Sequence, residues 1–135
     1  MISVALVADS GTAMEAMTRS VSTLTQVNIV RHCHGHAPIG RALTRFAPDL
    51  VLVDEMGWPK LALQRIEEIR KTLPQAQIVV RAERPEAGWL ADALRAGASA
   101  VVPATAGAET LALVLAEVVR EHHLDVHAKP AALAA

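Results

Sequence analysis

The sequence predicts a doubly wound α/β domain: five parallel strands in the order 2-1-3-4-5, each followed by a helix. Three observations carry that expectation. Short apolar runs alternate with segments whose apolar residues recur at helical spacing, one such unit every 25 residues or so (about 25). The runs are apolar on both faces, as strands of a parallel sheet covered by helices must be. The 135-residue chain is 52% hydrophobic and 20% charged, a one-domain length with a globular composition.

Each element follows in turn. Ser3–Ala8 (SVALVA) reads as a buried strand ended by Asp9, and Met14, Met17, Val21 and Leu24 then recur as the first helix. Val27–Cys33 reads as the second strand, and Asn28, Arg31 and His32 within it suit a sheet edge. Pro38 fits the first turn of a helix bearing Ile39, Leu43 and Phe46, which Pro48-Asp49 breaks. Leu50–Val53 (LVLV) is a short buried strand ending at Asp54. The third helix buries Ala62, Ile66, Ile69 and Leu73 and closes at Pro74. Gln77–Ala82 holds the fourth strand, ending at Arg81-Ala82, and a helix with Leu90 and Leu94 runs out at Ala96-Gly97. Ala98–Val102 is the fifth strand, stopped by Pro103. The last helix carries Leu111, Val114, Leu115 and Val118, with Leu113 and Val119 off its buried stripe. Residues 1–123 are expected to form the domain, and 124–135 a tail or linker.

Composition narrows the function. With 13 Lys+Arg against 14 Asp+Glu the net charge is −1, so the domain lacks the basic excess of a nucleic-acid binder. Aromatic residues are 2% of the chain, too few for a base-stacking platform. One cysteine fits a reducing cytoplasm and forms no internal disulfide. No apolar run reaches the roughly 18 residues of a membrane span. Ser10-Gly11-Thr12-Ala13 after the first strand is not a dinucleotide fingerprint, and no P-loop occurs, so an enzyme with its own turnover is not expected.

In an open α/β sheet the site lies at the carboxyl ends of the strands. The residues there are Asp9, Asp54, Arg81 and Pro103-Ala104. Two carboxylates above adjacent strands can hold a hard cation such as Mg²⁺, or present one as a nucleophile toward a phosphoryl group. Against this, some polar residue must end each buried strand, and Asp is common in loops and before helices.

The pattern resembles the receiver domain of bacterial two-component response regulators over about residues 2–120. PDLVLVDEM (48–56) is similar to the family's phosphoacceptor strand, VALVADS (4–10) to its first strand, and RAGASAVVPAT (95–105) to its last helix–strand junction. The resemblance implies a flavodoxin-like fold, Asp54 as phosphoacceptor, and Asp9 with Asp54 as Mg²⁺ ligands. It further implies a sensor histidine kinase or other phosphodonor, a self-dimer through the fourth helix, fifth strand and last helix with Leu113 and Val119 as apolar candidates, and an output domain acting on transcription, although these residues hold no helix-turn-helix segment. It departs from the family in five places. Ala8 stands where a second acidic residue is usual, Arg81 where Thr or Ser is, Ala104 (or Pro103, one residue earlier) where Lys is, Val101 where a switching aromatic is, and GWPKLA (57–62) replaces the usual loop. Without the lysine and the hydroxyl, two contacts that would couple a phosphoryl group to shape are missing. The alternative is a phosphate-independent pseudo-receiver used for dimerisation or protein contacts. Arg81 either pairs with Asp54 or Asp9, standing in for the metal or lysine, or points to solvent and pairs with Glu83 or Glu55.

Four other features bear on chemistry. On a strand, His32, His34 and His36 would share a face that could bind Zn²⁺ or Cu²⁺, but Gly35 is expected to end the strand first. His123 and His127 have helical spacing in a fraying segment. Cys33 has no arrangement to make it a nucleophile. Trp58 lies four residues past Asp54, either flanking the pocket or packing its own loop.

Overall fold

The structure, a computed structural model, describes the backbone of residues 1–134 and the side chains of residues 1–121. Five strands, β1 (Ile2–Ala8), β2 (Val27–His34), β3 (Leu50–Asp54), β4 (Gln77–Ala82) and β5 (Ala100–Pro103), form one parallel sheet in the order β2-β1-β3-β4-β5. The helices between and after them are α1 (Gly11–Ser22), α2 (Gly40–Phe46), α3 (Pro59–Thr72), α4 (Ala87–Ala96) and α5 (Gly107–Ala134). A single 3₁₀ turn, Ala104–Ala106, leads into α5. The expected fold class and strand order are therefore those observed.

Alternation along the strands builds the two halves of the core. Val4, Leu6, Leu50, Leu52 and Val79 face α1 and α5, where Met17, Val21, Leu111 and Leu115 cover them. Ala5, Val7, Val51, Val53, Ile78 and Val80 face the other way, toward Leu43, Ile66, Ile69 and Ala93 of α2, α3 and α4. Both faces are dry, which is why the strands read as unbroken apolar runs.

Side chains finish the helix ends. Ser10 caps α1, its hydroxyl accepting from the Ala13 amide at 3.1 Å. The α2 N-terminus has no cap of its own, and Glu68 of α3 supplies one, accepting from the Ile39 and Gly40 amides at 2.9 and 2.8 Å. The Arg70 guanidinium gathers the carbonyls of Pro74 and Ala76, at 2.8 Å each, and that of Gly97 at 2.7 Å. It thereby ties the exit of α3 to the exit of α4.

The structure corrects five details. Pro38 and Ile39 precede α2 rather than opening it. Leu94 is exposed on the outside of α4. β5 starts at Ala100 rather than Ala98 and takes in Pro103 as its last residue, a position open to proline at a sheet edge. Val119 is buried with the α1 and α5 core, so the buried stripe of α5 runs Leu111, Leu115, Val118, Val119. Leu113 lies beside α1 residues rather than toward α4 and β5, so the two residues expected on an α4-β5-α5 dimer face do not lie on it. The tail expected over 124–135, and the pair His123 and His127, lie outside the residues whose side chains are described.

Candidate functional site at the carboxyl end of the sheet

The parallel register of β3 and β4 places Asp54 directly beside Arg81. Their side chains close on each other, Arg81 Nη1 donating to Asp54 Oδ1 at 2.8 Å, with side-chain exposures of 22% and 11%. The other carboxylate oxygen, Oδ2, accepts from the Met56 amide at 3.0 Å. Each oxygen of Asp54 thus has a donor, one of them a fixed positive charge. Of the partners open to Arg81 in the sequence, Asp54 is the one it takes. Glu55, the neighbouring carboxylate, accepts instead from the Glu83 amide at 2.9 Å.

The loop after Asp54 is shaped to make that second bond. Met56 and Gly57 are both left-handed, with φ of 64° and 62°. For Met56 this conformation is uphill, and its side chain offsets the cost by packing down on Gly35, where a Cβ would stand 2.0 Å from its sulfur. Gly35 is in turn gripped through its carbonyl by Arg65 Nε at 2.6 Å. The β2–α2 and β3–α3 loops are therefore locked to one another.

Asp9 does not join Asp54. His36, just past the end of β2, takes it, Nε2 to Oδ2 at 3.0 Å. The His36 ring also stands edge-on to Trp58 at 6.0 Å and to His34 at 5.4 Å. Trp58 is 54% exposed and meets the site through the His36 ring. His32 stays on the exposed face of β2, and among the described residues no cluster of three potential ligands forms, so the three histidines are not brought together around one point. Val101 is half-buried against the α2–α4 side of the core, and Ala104 opens the 3₁₀ turn with no polar group to offer.

These residues do not suit Mg²⁺. The ion takes an octahedron of oxygens, several of them waters, and is anchored by one or two carboxylates free to face it. Ala8 contributes none, Asp9 is engaged by His36, and Asp54 is neutralised by a guanidinium that a cation would have to displace.

Cys33 is buried in the core face toward α2, and burial pushes its thiol above the ordinary range, opposed in smaller measure by the nearby Arg31. A thiol-reactive dye at pH 7.5 is expected to label the native protein about tenfold or more slowly than the unfolded chain, with the native rate rising only at pH above the ordinary thiol value. Equal rates in the two states would show the thiol to be open.

Sequence reasoning did not find Met56, Gly35, Arg65 or Glu68 as parts of this region. The doublet Met56-Gly57 was the one signal available, since Gly after a strand end marks a turn.

No known protein family and no curated protein matches the chain by sequence. Solved structures do match by shape. The isolated receiver domain of RcsB from Salmonella enterica serovar Typhimurium superposes with a TM-score of 0.78 at 16% identity, over 88% of each chain. The response regulator domain of Thermotoga maritima CheB gives 0.73 at 22% identity, over 90% of this chain and 96% of that one. A pilus assembly protein (cpaE) from Burkholderia thailandensis gives 0.75 at 19% identity, over 89% and 99%. The chain has the fold of response-regulator receiver domains.

Proposed function

We propose that this domain is an atypical receiver module of two-component signalling that works through protein contacts rather than through phosphoryl transfer at Asp54. One observation carries the reading: both oxygens of the Asp54 carboxylate already hold donors, and one donor is the Arg81 guanidinium. A phosphoryl group arriving there would have to break that ion pair without a lysine at 104 or an acidic residue at 8 to receive it. The likeness in fold to both response regulators and a pilus assembly protein is compatible with more than one kind of output. In this reading the domain acts in the cytoplasm without turnover of its own. No helix of the described residues is long and apolar enough to cross a membrane.

The second reading is a phosphorelay receiver, with Asp54 as phosphoacceptor, a sensor histidine kinase as donor and a transcriptional output. It draws on the placement of Asp54 at the end of β3 and on the 22% exposure of the Arg81 side chain, which leaves water at the outer side of the pair. Intact mass after incubation with acetyl phosphate and Mg²⁺ separates the two. No adduct on the folded wild-type chain is expected. A phosphoryl adduct that disappears in Asp54→Asn would establish the second reading instead.

A further inference from the structure

We propose that a cluster of arginines where α2 meets β2 is a docking site for an acidic segment of a partner protein. Charge is unevenly spread along the chain. Between Ala16 and Pro48 there are four arginines and no Asp or Glu, on a chain whose net charge is −1, so the remainder is acidic. The fold gathers three of the four. Ile39 and Leu43 are buried, which turns Arg41 and Arg45, one helical turn apart, outward on α2. Cys33 packs on the core face toward α2, and Arg31, two residues earlier on β2, shares that side of the strand. Arg31 and Arg45 thereby reach the same ring, each guanidinium carbon standing 5.5 Å from the centre of Phe46.

No carboxylate accompanies them. Among the described residues Arg31, Arg41 and Arg45 form no ion pair, whereas Arg19, Arg65, Arg81, Arg95 and Arg120 each do. Glu68, the acidic side chain that touches α2, is already held by Arg65 and by the Ile39 and Gly40 amides. Two positive charges on one ring repel each other, and the negative face of the ring offsets only part of that. A bound anion removes the rest, and the guanidinium fork is shaped to receive a carboxylate. Size and surroundings select the occupant. Alternate residues of an extended peptide stand about 7 Å apart, so a run of Asp or Glu spaces its carboxylates much as a helical turn spaces Arg41 and Arg45. Three guanidiniums fall short of the roughly six to ten phosphate contacts that hold a nucleic-acid duplex. They also fall short of the roughly four to eight basic residues that hold an anionic lipid surface. The acidic remainder of the domain repels either extended polyanion beyond the cluster.

The proposal rests on the contact-based reading above and names the chemistry of the partner. Its test uses no phosphodonor, so its failure leaves the acetyl phosphate result standing, and the reverse. The probe is fluorescein-labelled hexaglutamate, titrated with the full chain at pH 7.5 and low salt and followed by fluorescence anisotropy. Saturable binding with a dissociation constant below about 1 mM is expected, weakening about tenfold or more as salt is raised to about 0.5 M. Arg31→Gln, Arg41→Gln and Arg45→Gln should each weaken it about 3- to 10-fold, and the triple variant should abolish it with an unchanged circular dichroism spectrum. Arg84→Gln removes the same charge from an exposed site between β4 and α4 and should stay within about twofold of wild type. A wild-type chain that does not bind the peptide, or an Arg84→Gln chain weakened as much as the three cluster variants, would overturn the proposal. So would binding to a duplex DNA or to phosphatidylserine vesicles that persists at about 0.15 M salt and is lost in the triple variant.

Discussion

Replacing Arg81 with methionine lowers the unfolding free energy by about 2–3 kcal/mol, more than any other single change at the site. The reasoning starts from what is left behind. Asp54 is 8% exposed as a residue, and without the guanidinium its carboxylate keeps the Met56 amide as its hydrogen-bond donor on one oxygen while losing the donor on the other. Stranding a fully buried charge costs about 3–5 kcal/mol. The pair here is partly wetted, with Arg81 at 22% side-chain exposure, so solvent takes back a part of that. Asp54→Asn costs less, because the longer Arg81 side chain can move its charge outward to water while the amide oxygen still accepts from Met56. The double variant Asp54→Asn with Arg81→Met should be more stable than Arg81→Met alone, since neither partner then carries an unmatched charge. In urea, with a slope of about 1.5 kcal/mol/M, the midpoint of Arg81→Met falls by about 1 M or more and that of the double variant recovers. A neutral Arg81→Met would mean that the pair behaves as a surface contact, and the case for a self-neutralised pocket would fall with it.

The second large effect is at Gly97. Gly97→Ala is expected to cost about 3 kcal/mol, from two independent penalties. Its φ of 123° is outside anything an L-residue adopts comfortably, and an added Cβ would sit 2.6 Å from Arg70 Nε and 3.0 Å from Arg70 Cγ. Arg70 has little freedom to retreat, because the same guanidinium holds the Gly97 carbonyl and those of Pro74 and Ala76. Gly88→Ala is the control: this glycine lies in the first turn of α4 with nothing within 4 Å of a built Cβ, and alanine there should gain about 0.5 kcal/mol. Thermal unfolding of the two variants side by side checks both signs. A Gly97→Ala protein as stable as wild type would mean that the α3 and α4 exits are not tied through Arg70.

Much of this molecule was open to reading before any coordinates. The strands declare themselves because a sheet covered on both faces needs uninterrupted apolar runs, and LVLV ahead of Asp54 is such a run. Asp54 itself could be placed because a strand end is where polarity must resume. Its partner could not. Which residue faces Asp54 depends on the β3–β4 register, Leu50 opposite Gln77, and a slip of one residue would set Val80 or Ala82 beside it. Val119 was misjudged for a similar reason. The choice between Val114 and Val119 as the fourth buried residue of α5 turns on a rotation of the helix that only its neighbours fix, and here Val119 is the buried one while Val114 is partly buried. Glu68 and Arg70 act through backbone groups far away in sequence, where side-chain patterns carry no trace.

The two edges of the sheet have a consequence for how partners are met. At one edge, β5 offers four residues, the last of them Pro103, which has no amide to donate. At the other, β2 is irregular against β1 between Val4 and Ala5 and carries exposed Asn28, Arg31, His32 and His34. Neither is a template on which an extended peptide could zip itself as a sixth strand. Recognition of this domain is thereby pushed off the backbone and onto helix surfaces and loop tips. Such partners are chosen by side-chain shape and charge, and single substitutions can retune them without unpicking the fold.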